Sequence, residues 1–136
     1  NQYAELWAIP ASGGTPTAIL PSGVTLPRWD RPWTVIAGKL YFSACDTAHG
    51  CELWSTAGTP ESTRLVQDIR PGAASSSPEQ LLAVGNELVF TADDGLHGEE
   101  PWHLVLDIVR RSIHSGRDGF GGGHRYQCGR QPDPRV

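Results

Sequence analysis

Residues 83–102 read AVGNELVFTADDGLHGEEPW, and residues 35–54 read VIAGKLYFSACDTAHGCELW. At a constant offset of 48 and without a gap, Leu40 meets Leu88, Phe42 meets Phe90 and Ala44 meets Ala92. His49, Gly50, Glu52 and Trp54 fall on His97, Gly98, Glu100 and Trp102. A third echo, Glu5-Leu6-Trp7, stands 47 residues before Glu52-Leu53-Trp54. That much coincidence marks a duplicated unit, and a repeat of this period governs every local reading.

Each unit resolves into short β elements. Residues 80–84 and 87–92 partly alternate apolar and polar side chains, and Gly85-Asn86 between them is a two-residue hairpin signal. Leu88, Phe90 and Ala92 then share one face at period 2, with Val89 and Thr91 on the other. Ala37-Gly38 is a weaker version of the same turn, followed by Leu40, Phe42 and Ala44 facing inward. The loop DDGLHG at 93–98 leads to a third strand at 99–102. In the earlier unit, Ala57-Gly58-Thr59-Pro60 turns the chain into a fourth strand at 63–69. Four short antiparallel strands in about 48 residues is the size of one propeller blade.

The phrases ELWSTAGT, LVQDIRPGAASSSP and VGNELVFTADDGLHGEEPW resemble the bacterial ELWxxDGT repeat, found in tandem in large secreted or surface proteins. The resemblance covers roughly residues 4–102 and implies propeller-like blades, a repeat for which no enzymatic activity is established. Three positions depart from its pattern: Ala57 stands where the motif has Asp, Ile9-Pro10-Ala11 replaces the same turn in the first copy, and Pro101 replaces Leu. After Trp102 the pattern stops. Residues 103–113, HLVLDIVRRSI, read as a strand running on from Trp102 or as a short helix, an initial strand being favoured, and 116–129, with GFGGGH inside, read as flexible.

The expected architecture is therefore all-β: antiparallel propeller-like blades of about four short strands in an incomplete ring, with a Gly/Arg-rich C-terminal tail. The division is a partial unit and linker at 1–34, a unit at 35–82, a truncated unit at 83–108 and a flexible tail at 109–136. Asn1 is not a natural start, so the chain reads as a piece of something longer. Closure of a propeller takes four to eight blades. Other repeat units of a longer chain are accordingly expected partners.

Composition agrees with a loop-rich β protein. Gly 16 and Pro 11 together make about a fifth of the chain, Met is absent, and mean hydropathy is −0.33. Residues 1–102 hold 5 basic and 12 acidic side chains; residues 103–136 hold 6 basic and 3 acidic. An acidic body gives no support for nucleic-acid binding, and the Arg residues of the tail are too sparse for an RNA-binding arm. No apolar run approaches the roughly 20 residues of a membrane helix, so no membrane insertion is expected. The GFGGGH run lacks the GK[ST] ending and strand–helix setting of a phosphate loop.

His49 and His97 invite a chemical reading. Asp46, His49 and Glu52, and likewise Asp93, Asp94, His97, Glu99 and Glu100, combine carboxylates with an imidazole in a loop. Yet DDG lacks the ligand spacing of an EF-hand, and each unit has one His where zinc sites gather several ligands. The stronger reading gives His a loop-anchoring role and Gly a positive φ before the third strand, with no metal and no cofactor expected. Asp93, Asp94 and His97 remain candidates for contact with a ligand, either a protein or a carbohydrate. No catalytic residue is assigned: there is no GxSxG, Ser75-Ser76-Ser77 lies in a linker, and residues recurring once per unit behave as packing and turn residues. Trp7, Trp54, Trp102, Phe42 and Phe90 are expected to form the repeat core, each Trp packing between neighbouring blades.

Cys45 and Cys51 flank one loop, at the positions of Asp93 and Glu99 in the other copy. If the second and third strands pair, these two close the same hairpin and are in disulfide reach. A disulfide points to an oxidising compartment, extracellular or at the cell surface. The functional expectation is a non-catalytic extracellular segment serving as scaffold, adhesion or ligand-display module. The alternative is a fragment of a propeller enzyme acting on glycans, with its catalytic residues outside this chain.

Overall fold

The computed structural model describes residues 5–27, 33–106 and 111–115. Among them there is no α-helix. The described chain is all-β, in one two-stranded and two four-stranded antiparallel sheets.

The first four-stranded sheet orders β3 (Trp33–Ile36), β4 (Lys39–Asp46), β5 (Gly50–Thr56) and β6 (Arg64–Gln67) in sequence. The β3–β4 hairpin turns on Ala37 and Gly38, both at positive φ (53° and 78°), the backbone a primed two-residue turn demands. Between β5 and β6, a short 3₁₀ turn, Pro60–Ser62, carries a reciprocal cap: the Thr59 hydroxyl accepts from the Ser62 amide, and the Ser62 hydroxyl accepts from the Thr59 amide.

The second sheet repeats this order with β7 (Glu79–Val84), β8 (Glu87–Asp93), β9 (Glu99–Leu106) and β10 (Arg111–Ser115). The strand running on from Trp102 is β9 as far as Leu106, while Arg111–Ile113 belong to β10. Two expected divisions are corrected. A boundary between 82 and 83 would cut β7, which belongs to the second sheet because it pairs with β8 across the Gly85 turn. A flexible tail from 109 would exclude β10, which pairs with β9 from Arg111↔Leu106 to Ser115↔Trp102. The second unit is thus a full four-stranded sheet. β9 is long enough for its outer edge to take a further strand, and no ELW-like phrase signals that return in sequence. The Gly-rich run at 116–129 lies outside the described residues.

Packing follows the repeat. Tyr41, Leu53 and Val66 leave one face of the first sheet and meet Leu88, Phe90, Ala92, Trp102 and Leu104 on the facing side of the second, all buried. The opposite face of the first sheet carries Phe42, Ala44 and Trp54, covered by Leu6, Leu20, Val24 and Leu26 from the N-terminal segment. Phe42, Ala44 and Trp54 are the 48-residue counterparts of Phe90, Ala92 and Trp102. In both units, therefore, the same positions face the preceding part of the chain, which is how blades stack in series.

Trp7 is a correction to the expected core. It sits in β1 (Trp7–Ala8), paired only with β2 (Thr17–Ala18), and is 53% exposed, with its ring N–H donated to Glu5 at 2.9 Å. The reason is strand parity: Leu6 points into the Phe42–Trp54 cluster, so its neighbour Trp7 must point away from it.

Candidate functional site

The residues singled out by the sequence gather at one end of each sheet, in the loop between the second and third strands. In the first unit Asp46 ends β4 and His49 precedes Gly50. The Asp46 carboxylate accepts the His49 amide at 2.6 Å, and its other oxygen lies 2.9 Å from His49 Nδ1. In the second unit Asp94 does the same work: it accepts the amides of Leu96 and His97 at 2.9 and 3.0 Å, and Oδ2 lies 3.0 Å from His97 Nδ1. An Asp side chain that satisfies the amides two and three residues ahead closes the loop without help from elsewhere. Gly50 and Gly98 then take φ of 69° and 74° to enter the third strand. Burial pushes the Asp46 carboxyl up, but the His49 hydrogen bonds outweigh it and hold the group below its ordinary value. The same contact raises the His49 imidazole above its ordinary value.

Beneath the loop of the first unit lies Glu52, which the sequence groups with Asp46 and His49 but which the fold turns away from them. Glu52 is fully buried, and its carboxylate accepts from the amides of Ile69 (3.0 Å), Arg70 (3.2 Å) and Ser76 (3.2 Å) and from the Ser76 hydroxyl. One side chain thus pins both ends of the linker that joins the two sheets. Burial pushes this carboxyl up to about 7, even though the donors from Ser76, Ile69 and Arg70 pull it down. A hydrogen bond across 17 to 24 residues leaves no periodicity in the sequence, so nothing there ties Glu52 to residues 69–76.

Cys45 and Cys51 are bonded, with Cα atoms 3.9 Å apart. They are direct cross-strand partners, and register explains why they meet. Cys45 exchanges both backbone hydrogen bonds with Thr25, and the Cys51 carbonyl accepts from Ser76 and Ser77. Their backbone groups therefore face outward, leaving the pair at a non-hydrogen-bonded site, where side chains come closest. In the second unit the matching partners are Asp93 and Glu99. Arg70 reaches in from the linker, 3.6 Å from Asp93, and its side chain packs over Gly95.

Of the proposed ligand contacts, the structure places Asp94 and His97 together and Asp93 beside Arg70. Glu100, grouped with these residues in sequence but not among the proposed ligand contacts, joins them. One ligand atom each from Asp94, His97 and Glu100 lies within 4.8 Å of the other two, the one such trio of His, Cys, Asp or Glu among the described residues. Asp94 and Glu100 are 8% and 9% exposed, while Leu96 at the loop tip is 78% exposed. Trp54, Trp102, Phe42 and Phe90 are buried. No described helix is long and apolar enough to cross a membrane.

Compared with known proteins, the chain matches no family model, no curated protein and no solved structure.

Proposed function

We propose that this chain is a non-catalytic, extracellular β-repeat segment that holds loops in place for contact with a protein or carbohydrate ligand. The observation that carries this reading is the equivalence of Asp46–His49 and Asp94–His97. The acid–imidazole pairs that invite a catalytic reading occur in both units, and in both the Asp carboxylate accepts the loop's own amides. A catalytic pair is normally unique in a chain, whereas a brace recurs wherever its loop recurs. The disulfide supports an oxidising compartment, and the resemblance to ELWxxDGT repeats supports a secreted or surface setting.

Further repeat units are the natural neighbours. β3 and β7 lie side by side, and they leave Trp33, Val35, Leu82 and Val84 each more than half exposed. An apolar row on the first strand of each sheet suits burial against more blades of a longer chain. The test pairs glycan and protein arrays with hydrolysis of a panel of fluorogenic glycosides. The expected result is saturable binding reduced by Asp93→Ala or Leu96→Ser, with no turnover above buffer. Glycoside hydrolysis by the purified chain would overturn the reading.

A further inference from the structure

In the first unit the hairpin between the second and third strands is closed by a covalent bond, Cys45–Cys51. In the second unit the same register positions hold Asp93 and Glu99, directly opposite each other. Two like charges at a cross-strand site push a hairpin apart. Arg70 beside Asp93 offsets one of them. Two further carboxylates, Asp94 in the loop and Glu100 in β9, are both about nine-tenths buried. A buried carboxylate is held by hydrogen bonds or by a cation, and two of them converging beside an imidazole form a donor set suited to a metal ion.

The geometry supplies a means. Asp94 Oδ1 is occupied by the amides of Leu96 and His97, which fixes the carboxylate and presents Oδ2 beside His97 Nδ1. Glu100 contributes the third ligand atom, all three within 4.8 Å of one another. Asp94 follows the end of β8, His97 lies in the loop and Glu100 belongs to β9, so an ion among them would tie both strands together. In the first unit the corresponding Glu52 is drawn instead onto the linker amides, and the disulfide does the tying.

We propose that Asp94, His97 and Glu100 form a binding site for a divalent transition-type cation, of which Zn²⁺ is the model, closing the second hairpin as the disulfide closes the first. The donor set selects the ion class. One imidazole and two carboxylates are typical zinc ligands, leaving a fourth position to water, whereas calcium calls for six to eight oxygens. Ligation through His97 Nδ1 leaves the single proton of the neutral imidazole on Nε2, so the ring stays neutral. Binding involves no redox step.

The experiment uses the full chain, stripped with EDTA and titrated with ZnCl₂ by calorimetry, with thermal melts in parallel. One Zn²⁺ per chain is expected, together with a rise in Tm of several degrees at a hundredfold excess over Kd. His97→Ala and Glu100→Gln should each weaken binding at least tenfold, while His49→Ala leaves it unchanged. If those variants fold poorly, the unmodified chain still decides. Its His97 imidazole NMR signals should shift on Zn²⁺ addition while those of His49 stay, and Co²⁺ should give d–d bands without a thiolate charge-transfer band. No saturable Zn²⁺ binding, binding indifferent to His97, a thiolate band placing the metal on Cys128, or stabilisation by Ca²⁺ but not Zn²⁺ would each overturn the proposal.

Discussion

A duplicated chain offers paired tests, because one position can be changed in two settings. Gly50 and Gly98 share the same place and the same left-handed backbone. A Cβ at Gly50 would lie 2.7 Å from the backbone of Ala73 and Ala74, whereas at Gly98 it would meet nothing within 4 Å. Gly98→Ala should therefore cost only the conformational strain, about 1 kcal/mol. Gly50→Ala must also displace the linker and should cost more than about 2 kcal/mol, a contrast read by urea denaturation of the two variants. Glu52 gives a second residue-scale prediction, and its sign is fixed by the direction of the shift. Its folded value of about 7 lies above the ordinary 4.5, so between these pH values the folded state holds a proton that the unfolded state releases. The stabilisation is complete below about 4.5 and is lost as pH rises through 7. At about 1.4 kcal/mol per pH unit, Glu52 alone lowers stability by about 3 kcal/mol across that interval. Glu52→Gln should flatten this slope in melts recorded from pH 4.5 to 8. Glu52→Ala should destabilise at every pH by about 3 kcal/mol or more, since it leaves buried amides of the linker without their acceptor.

At the scale of the element, the hairpins show how register assigns roles to side chains. The Asp93 amide donates to the Ser76 carbonyl instead of to β9, which makes Asp93↔Glu99 a non-hydrogen-bonded pair like Cys45↔Cys51. Alternation then puts Thr91↔Pro101 at another such site. Proline has no amide to donate, and this position asks for none from β8. The next strand, β10, pairs only as far as Trp102, so β9 accepts Pro101 without losing a ladder bond there. The linker uses the same logic: Ser76 donates to Cys51 and accepts from Asp93, joining the ends of β5 and β8. The disulfide joins residues at a sequence separation of 6, and constraining so short a loop contributes about 2 kcal/mol in the chain-entropy picture. Cys45→Ala/Cys51→Ala should lower Tm accordingly. The oxidised wild type should lose the same amount when dithiothreitol is added, and the variant should not respond to it.

For the whole molecule, the legible part was what repeats and the illegible part was what joins the repeats. The β4–β5 and β8–β9 hairpins, the Leu88–Phe90–Ala92 face and the Cys45–Cys51 pairing follow from alternation and spacing, which are local properties of sequence. β10 escaped notice because nothing in RSIHS matches the blade pattern. Trp7 was misplaced because its phrase was read without its sheet: the ELW motif fixes which way each side chain points, but not whether anything lies in that direction. Of the candidate site, the loop carboxylates and imidazoles were visible, while the approach of Glu100 to Asp94 and His97 and the hold of Glu52 on the linker needed the folded backbone. The two faces of the first sheet make the last prediction. Leu53 is fully buried in the core shared with the second sheet, whereas Trp54, its neighbour, packs toward Leu6 and Leu20. If the sheets fold as serially stacked blades, stability is carried by the interface between them as much as by each sheet. Leu53→Ala should cost about 2–5 kcal/mol. In native-state hydrogen exchange it should lower protection in β8 and β9 as well as in β4 and β5. Leu65→Ala, which loosens the opposite face, should lower protection in β4 and β5 while leaving β8 and β9 close to wild type. Equal losses in both sheets for both variants would mean a single cooperative core and would rule out blade-by-blade stacking as the source of stability.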